Sequence, residues 1–299
     1  MSDQSLTSPM SDRNLVSPTS STETLPTQRK RSFLYRCIDP HIHDLNNCSE
    51  RLFTSAFVSS KVLLAWRTFA GLWGIMMIGF QAAKTRQAWV YFSYFTNLSW
   101  LGLTIYFLLF AFLSFRYVQT GTSKFFQNLP KPVRWLIWNI YVLAAVYPWI
   151  VVIIFWSLLS GELVRNGDAM AWWTNINVHL MDLVFMLIEL FLARTPMFAS
   201  QWPIPIAVGL LYLAWAHVQN AAFSDEPWVV GNPAYPHGWY PYSFLDVERS
   251  SAAMWYIIVI VLFILMFFVV FGVHRFRDRV TRKRVEGRKE AAVAMTTYP

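Results

Sequence analysis

Residues 252–273 read AAMWYIIVIVLFILMFFVVFGV and contain no Asp, Glu, Lys, Arg or His. A helix needs about 20 predominantly apolar residues to cross the hydrocarbon core of a bilayer, and this stretch has that length. Five earlier stretches resemble it. The six predicted spans are Val62–Ala82, Tyr91–Phe115, Trp135–Leu158, Trp172–Leu192, Pro203–Phe223 and Ala252–Val273. The predicted fold class is therefore all-α, a polytopic membrane bundle of six transmembrane helices.

The composition of the whole chain supports the same class. Its 299 residues are 55% hydrophobic and 14% charged, whereas soluble domains average about 25% charged residues. The net charge of +8 comes largely from basic clusters that flank the spans, at residues 29–31 and 275–289. The positive-inside rule and anionic lipids explain such clusters. Membrane lipids are therefore the expected partners, and nucleic acid is not.

The chain divides into three parts. Residues 1–58 are rich in Ser, Thr and Pro and lack a helical apolar period, so they are predicted to be a disordered tail. Residues 59–274 form the six-span domain, and residues 275–299 form a basic tail. Lys and Arg concentrate before span one, between spans two and three, and after span six. Both termini are therefore predicted to be cytosolic, in a multi-pass protein of the plasma membrane or an endomembrane.

Span four is unusually polar. It carries Asn175, Asn177, His179, Asp182 and Glu189. One mid-span Asp costs about 2.5–3.5 kcal/mol on the insertion scale, so this helix face is expected to meet bundle partners or a wet cavity. His179 and Asp182 are spaced i, i+3, so they are predicted to be neighbours on one helix face.

Two other spans carry polar residues, namely Ser93, Thr96 and Asn97 in span two and His217 and Asn220 in span five. At about 1.5 Å per residue, Thr96, His179 and His217 are each predicted to lie roughly 7–11 Å below the non-cytosolic surface. Three side chains at one depth predict a functional site. The alternative is that they only join helices by hydrogen bonds.

Two further sets of polar residues are predicted to lie outside the functional site. Arg67 lies near the predicted cytosolic end of span one and is expected to extend to the interface. Cys37, His41, His43 and Cys48 match no closed zinc-site spacing, so neither a metal nor a cofactor is predicted.

Three motifs carry a family resemblance: Asn175-x-x-x-His179 leading into Phe185-Met186-Leu187-Ile188-Glu189; Trp215-Ala216-His217-Val218; and Trp239-Tyr240-Pro241-Tyr242-Ser243-Phe244-Leu245-Asp246. Over spans two to six, this set resembles the androgen-induced-gene family of membrane proteins. It is similar, more distantly, to the rolling-stone type of membrane protein.

The resemblance implies an intramembrane threonine hydrolase that cleaves fatty acid esters of hydroxy fatty acids. The family's histidine falls on His179, aligned through Asn175 and Glu189, and its threonine falls on Thr96. If the short Tyr94-Phe95-Thr96 segment is aligned three residues earlier, the nucleophile falls on Ser93 instead. A long amino-terminal tail and an insertion-like stretch at 224–237 depart from the family pattern and leave the substrate open.

The ordinary chemistry of these side chains agrees with the roles that the resemblance implies. A threonine hydroxyl needs an adjacent base, which neutral His179 can supply while Asp182 holds its tautomer. Asn97, His217 and Asn220 are candidate donors to the oxyanion.

Two other classes of function stay open. His179, Asp182 and Glu189 could form the relay of a proton-linked transporter. Alternatively, the polar stripe of span four could be the packing surface of a non-catalytic scaffold or adhesion protein.

Overall fold

The computed structural model describes residues 45, 48–84, 88–233 and 235–297. Every regular element within these residues is helical, with no strand. Six helices are long and apolar enough to cross a membrane, which confirms the predicted number of spans. They are Ser60–Lys84, Phe95–Thr120, Lys131–Leu159, Ala169–Leu192, Ala199–Phe223 and Ala252–Arg284. These are spans one to six below.

Spans four and six differ most from simple helices. Span four consists of two helices, Ala169–His179 and Met181–Leu192, which meet at Leu180, where φ is −141° and ψ is −43°. The helix of span six runs without a break from Ala252 to Thr297. The short helical turns outside the spans are Ser49–Leu52, Ala88–Tyr91, Lys124–Gln127, Gly161–Asn166 and Ser243–Leu245.

Local sequence explains several helix ends. The Asp168 carboxylate accepts a hydrogen bond from the Ala171 amide at 2.7 Å, which caps the start of span four. Gly121 follows span two with φ of 67°, a left-handed conformation that glycine adopts without steric cost. Span three ends in a π-helical turn, Phe155–Leu159, closed by a bond from the Ser160 amide to the Phe155 carbonyl at 2.9 Å. Such turns occur often at functional sites.

Spans one and two form the most extensive helix contact of the described bundle. Small residues make the close approach possible. A Cβ atom added at Gly74 would lie 2.3 Å from Oγ1 of Thr104, and one at Gly71 would lie 2.7 Å from Cδ2 of Leu108. Glycine at these positions therefore sets the distance between the two helices.

The core is aromatic and lies among spans one to four. Its largest fully buried side chains include Trp100, Tyr106, Phe107, Phe110, Trp138 and Tyr141. Span five contributes least, because only Pro205, Ala216 and Gln219 are buried along Pro203–Phe223. Five residues of span five line the cavity described below.

The predicted boundary of the disordered tail at residue 58 is wrong for the described residues. Ser49–Leu52 forms a 3-10 turn, and Leu52 and Phe53 belong to the buried core. The Phe53 ring stacks on Tyr117 with centroids 5.4 Å apart. Apolar side chains in an otherwise polar stretch thus anchor it to the bundle. Residues 1–44 lie outside the described structure, and with them Cys37, His41 and His43.

The predicted basic tail does not begin as a separate segment either, because the span-six helix continues through it. Arg277 is 2% exposed and donates hydrogen bonds to the carbonyls of Leu190, Ala193 and Thr195. The last carbonyls of a helix lack partners within it, so Arg277 caps the end of span four. Asp278 pairs with Arg51, which joins the amino-terminal segment to the same place.

The two ends of the bundle differ. Residues 224–251 connect spans five and six, and we call this segment the cap and its side of the bundle the cap end. Spans one, three and five end at the cap end, and spans two, four and six begin there. Arg51 and Arg277 lie at the opposite end.

Candidate functional site

Thr96 is the second residue of span two, at the cap end of the bundle. Its side chain lines an apolar cavity, and the residue is 8% exposed. Its hydroxyl lies 3.4 Å from the hydroxyl of Tyr242, and its amide donates to the same Tyr242 oxygen at 3.4 Å. Tyr242 belongs to the cap, so the cap supplies the polar neighbour of Thr96.

The cavity lies among the start of span two, the cap, and spans three, five and six. It has an empty volume of about 810 Å³, which includes the space at its mouth. Aliphatic and aromatic side chains form most of the lining, including Ile150, Ile154, Phe155, Ile206, Leu213 and Phe263. We call this space the acyl cavity, because its apolar lining suits a hydrocarbon chain.

Two of the four hydroxyl groups that line the acyl cavity donate to backbone carbonyls. Tyr212 donates to the Ser93 carbonyl at 3.0 Å, and Tyr256 donates to the Leu245 carbonyl at 2.6 Å. The Thr96 and Tyr242 hydroxyls lie 3.4 Å from each other, and neither donates to a backbone carbonyl within the described residues. Their two hydroxyls are therefore the polar groups of the lining best placed to meet a ligand.

The protonation of Tyr242 decides what it can do. Burial raises the pKa of the Tyr242 hydroxyl to about 12, although hydrogen bonds with Thr96 oppose the shift. The group therefore stays protonated at physiological pH. It can donate a hydrogen bond to a developing oxyanion, but it is a poor base.

Ser93, the alternative nucleophile, occupies a different environment. It is fully buried and donates to the Gln219 side chain at 2.8 Å. It is not part of the acyl-cavity lining, whereas Thr96 is. The geometry thus favours Thr96 over Ser93 as the residue that a ligand in this cavity would meet.

His179 approaches the acyl cavity indirectly. Its imidazole stacks on Phe155, a lining residue, with ring centroids 3.6 Å apart and planes within 3°. Its Nδ1 atom is buried and has no hydrogen-bond partner among the described residues. Its carbonyl accepts a bond from Trp156 at 3.0 Å. The structure gives no hydrogen bond between His179 and Thr96.

The predicted pairing of His179 with Asp182 does not form. The break at Leu180 separates the two residues into different helices, so their i, i+3 relation is lost. Asp182 is 2% exposed and accepts a hydrogen bond from the Leu183 amide at 2.7 Å. Asn175 donates to the Ala171 carbonyl at 2.9 Å, within its own helix.

The other predicted supporting residues also bond elsewhere. Asn97 donates to the Tyr91 carbonyl at 2.8 Å, and Asn220 is 3.4 Å from the His237 carbonyl. His217 Nε2 lies 3.2 Å from the Tyr256 hydroxyl, whose proton is committed to Leu245. His217 is therefore the donor to Tyr256. These three residues position the surroundings of the cavity rather than contacting Thr96.

The predicted exposure of Arg67 is wrong. Arg67 is fully buried and donates through Nε and Nη2 to Glu189 Oε1, at 3.0 and 2.7 Å. Tyr106 donates to the same oxygen at 2.6 Å, and Arg67 Nη1 donates to Ser114 at 2.6 Å. A buried carboxylate in span four supplies the countercharge, so Arg67 does not need the interface. This network joins spans one, two and four.

Sequence reasoning missed the roles of Tyr242 and Phe155. In the sequence, Tyr242 is only part of an aromatic motif, and nothing local indicates that this loop residue folds back onto Thr96. Phe155 is one of many apolar residues of span three, so no local signal marks it.

Comparison with known proteins adds no relative: no family model, curated protein or solved structure matches this chain.

Proposed function

We propose that this multi-pass membrane protein hydrolyses lipid esters, with Thr96 as the nucleophile and the acyl chain of the substrate in the acyl cavity. The observation that carries the proposal is the Thr96–Tyr242 hydroxyl pair at the edge of an apolar space. The apolar lining suits a hydrocarbon chain, and the two hydroxyls are placed to meet the carbonyl of an ester bound at its edge.

The proposed chemistry follows from these positions. Thr96 Oγ1 attacks the ester carbonyl, and the Tyr242 hydroxyl donates to the oxyanion of the tetrahedral intermediate. The alcohol then leaves with a proton, and water hydrolyses the acyl-threonine to release the acid and restore Thr96. An oxyanion donor of this kind contributes about 2.7–4 kcal/mol to the barrier reduction.

His179 is the proposed general base. Its buried Nδ1 has no hydrogen-bond partner among the described residues, so it is available to accept a proton. Phe155 lies against the imidazole on one side and lines the cavity on the other. The proposal therefore requires two movements before proton transfer. The Phe155 ring, in the π-helical turn, moves aside, and the His179 side chain turns toward Thr96.

The orientation in the membrane is part of the proposal. Six spans put both termini on one side, and we propose that this side is the cytosol. Arg51, Arg194 and Arg277 support it, because they gather at the end opposite the cap. The acyl cavity then opens near the non-cytosolic face. The androgen-induced-gene resemblance points to the same Thr96 and His179.

The transporter alternative receives less support. The His179 ring stacks on Phe155, whereas Asp182 accepts from the Leu183 amide and Glu189 accepts from Arg67, so no hydrogen-bonded relay joins the three within the described structure.

The test uses purified full-length protein in detergent micelles and a fluorogenic long-chain ester. We expect Thr96→Ala and His179→Ala to lose turnover by at least about 100-fold, in line with the loss of a triad member. Thr96→Ser keeps a hydroxyl and should retain measurable turnover. Ser93→Ala separates the alternative nucleophile and should remain active if it folds, as judged by its elution profile. Unchanged turnover in well-folded Thr96→Ala would refute the assignment.

A further inference from the structure

A second apolar space lies beside the acyl cavity, between spans three and six. Its lining comes from the end of span three, the first half of span six and one cap residue, Phe244. The Ser157 hydroxyl in this lining donates to the Ile153 carbonyl at 2.5 Å, so it does not make the space polar. We call this space the 3/6 groove. Nothing in the proposed chemistry of Thr96 uses it.

The 3/6 groove exists because span six packs against the bundle along only part of its length. No residue from 253 to 262 is buried, whereas Phe263, Phe267 and Val270 are. In span three, Phe155 is the only buried residue of 153–159. Toward the opposite end, the Tyr141 hydroxyl of span three bonds to His274 of span six at 2.5 Å. The two helices are therefore joined away from the cap and separate toward it.

The 3/6 groove faces the hydrocarbon of the membrane. Its span-six lining runs from Trp255 to Leu265, which is about 15 Å at 1.5 Å per residue. That length is about half the thickness of a hydrocarbon core. Ile258, Val261 and Leu265 of this lining are exposed in the bundle. In a bilayer, lipid chains in the cap-side half of the membrane would cover them.

One layer of side chains separates the 3/6 groove from the acyl cavity. Ile154, Phe244 and Val259 line both spaces. None of these side chains has a polar group, so no hydrogen bond holds them in place. The half-buried Phe244 ring stacks on Tyr242 with centroids 5.3 Å apart and lies 5.9 Å from the Trp255 ring. Rotation of the three shared side chains would join the two spaces.

A comparable groove between spans two and five is closed more firmly. This 2/5 groove shares Phe95 and Tyr212 with the acyl cavity. The Tyr212 hydroxyl donates to the Ser93 carbonyl at 3.0 Å. The Phe95 ring lies 5.0 to 5.9 Å from the rings of Tyr147, Tyr212 and Phe263. A hydrogen bond and a ring cluster from four spans thus hold this wall, so it is the poorer route.

We propose that the acyl cavity is filled sideways from the bilayer: the hydrocarbon chain of a membrane lipid enters through the 3/6 groove, with Phe244 as the movable side chain at the entrance. The inference rests on the proposed function only for the identity of the occupant as a lipid ester. It limits the substrates to molecules that dissolve in the cap-side half of the membrane. The chain moves from one apolar space into another, so no apolar surface has to pass through water.

Photolabelling of purified full-length protein in phosphatidylcholine vesicles tests the inference. The probe is a long-chain acyl ester with a diazirine at the end of its chain, dissolved in the bilayer. Mass spectrometry of the labelled peptides locates the bound chain. The wild type should be labelled at Leu265, which lines only the 3/6 groove, and at Leu213, which lines only the acyl cavity.

Two substitutions block the groove without changing the lining of the acyl cavity. Ile258→Trp fills the 3/6 groove from span six and should lose most of the labelling at Leu213. Leu158→Trp fills it from span three and replaces Ile258→Trp if that variant does not fold, as judged by its elution profile. Ile105→Trp is the matched control, because Ile105 lines the 2/5 groove and is 46% exposed, against 43% for Ile258. Its labelling should equal that of the wild type.

Three results would overturn the inference: unchanged labelling of Leu213 in the well-folded groove variants, an equal loss in Ile105→Trp, or no label at Leu265 in the wild type. The last would mean that another protein surface covers the groove. Thr96→Ala separates this inference from the proposed function, because it should be labelled like the wild type while losing turnover. Labelling of Leu213 without turnover in the wild type would count against the hydrolase only.

Discussion

Arg67 in span one donates two hydrogen bonds to Glu189 in span four, and both side chains are completely shielded from the surroundings of the protein. A buried ion pair gains little over an apolar pair, but removing one partner leaves an uncompensated charge. The pair therefore makes the packing of spans one and four depend on both residues together.

Replacing Arg67 alone should be strongly destabilising. We expect Arg67→Ala to cost about 3–5 kcal/mol, because Glu189 would be left charged inside the bundle. The double variant Arg67→Met with Glu189→Leu should recover most of this loss. Thermal unfolding in detergent, followed by size-exclusion chromatography, measures both. Arg165→Ala, at an exposed site, is the control and should stay within about 0.5 kcal/mol of wild type. A double variant less stable than the single one would contradict the argument.

Removing the Tyr242 hydroxyl should slow ester hydrolysis without unfolding the protein. If Tyr242 donates to the oxyanion, Tyr242→Phe should lower kcat by about 100-fold or more, with a smaller change in KM. Tyr212→Phe is a matched control, because Tyr212 lines the same cavity but donates to the Ser93 carbonyl. Steady-state turnover of a long-chain ester distinguishes them. Equal losses of kcat in the two variants would indicate a general effect on the cavity.

The contact of spans one and two predicts unequal effects of two glycine substitutions. Gly74→Ala should destabilise the protein by about 1–3 kcal/mol, since the new Cβ would lie 2.3 Å from Thr104 Oγ1. Thr104→Ala in the same chain should relieve part of that cost. Gly79→Ala is the control in the same helix, because a Cβ there has no neighbour within 4 Å. Unfolding midpoints in detergent report the difference, and equal effects at the two glycines would exclude this packing.

Asp246 predicts a pH dependence of the cap. Burial alone would raise its pKa, but hydrogen bonds from His237, the Glu248 amide and Arg249 outweigh burial and lower the pKa below its usual value. A lowered folded-state pKa stabilises the fold above the unfolded-state pKa of about 3.9, and the stabilisation is lost as pH falls toward the folded value.

Asp246→Asn should therefore be less stable than wild type at pH 7, by about 1–3 kcal/mol. The two proteins should converge below pH 3.9. Limited proteolysis of the cap at pH 7 and pH 3, with an acid-active protease at the lower pH, measures the difference. Glu248→Gln, with a side chain 66% exposed, should show little change at either pH. A difference between Asp246→Asn and wild type that is as large at pH 3 as at pH 7 would contradict the linkage.

The bundle itself follows from the sequence, because the length and low charge of each span are local properties. Partners distant along the chain do not follow. Arg67 and Glu189 are 122 residues apart, and no spacing rule connects them. The break at Leu180 was missed because neither Pro nor Gly marks it, and with it the predicted His179–Asp182 pair was lost. Helix rise alone predicts the depth of Thr96, whereas the contact of Thr96 with Tyr242 depends on how the cap folds.

The cap segment around Tyr242 has a consequence for how the chain can vary. Consecutive residues there line two different cavities, with Tyr242 and Phe244 lining the acyl cavity and Ser243 lining a second cavity within the cap. Inserting or deleting a single residue within 242–246 would shift these side chains away from the cavities that they line. Length changes should therefore be selected against in this short segment.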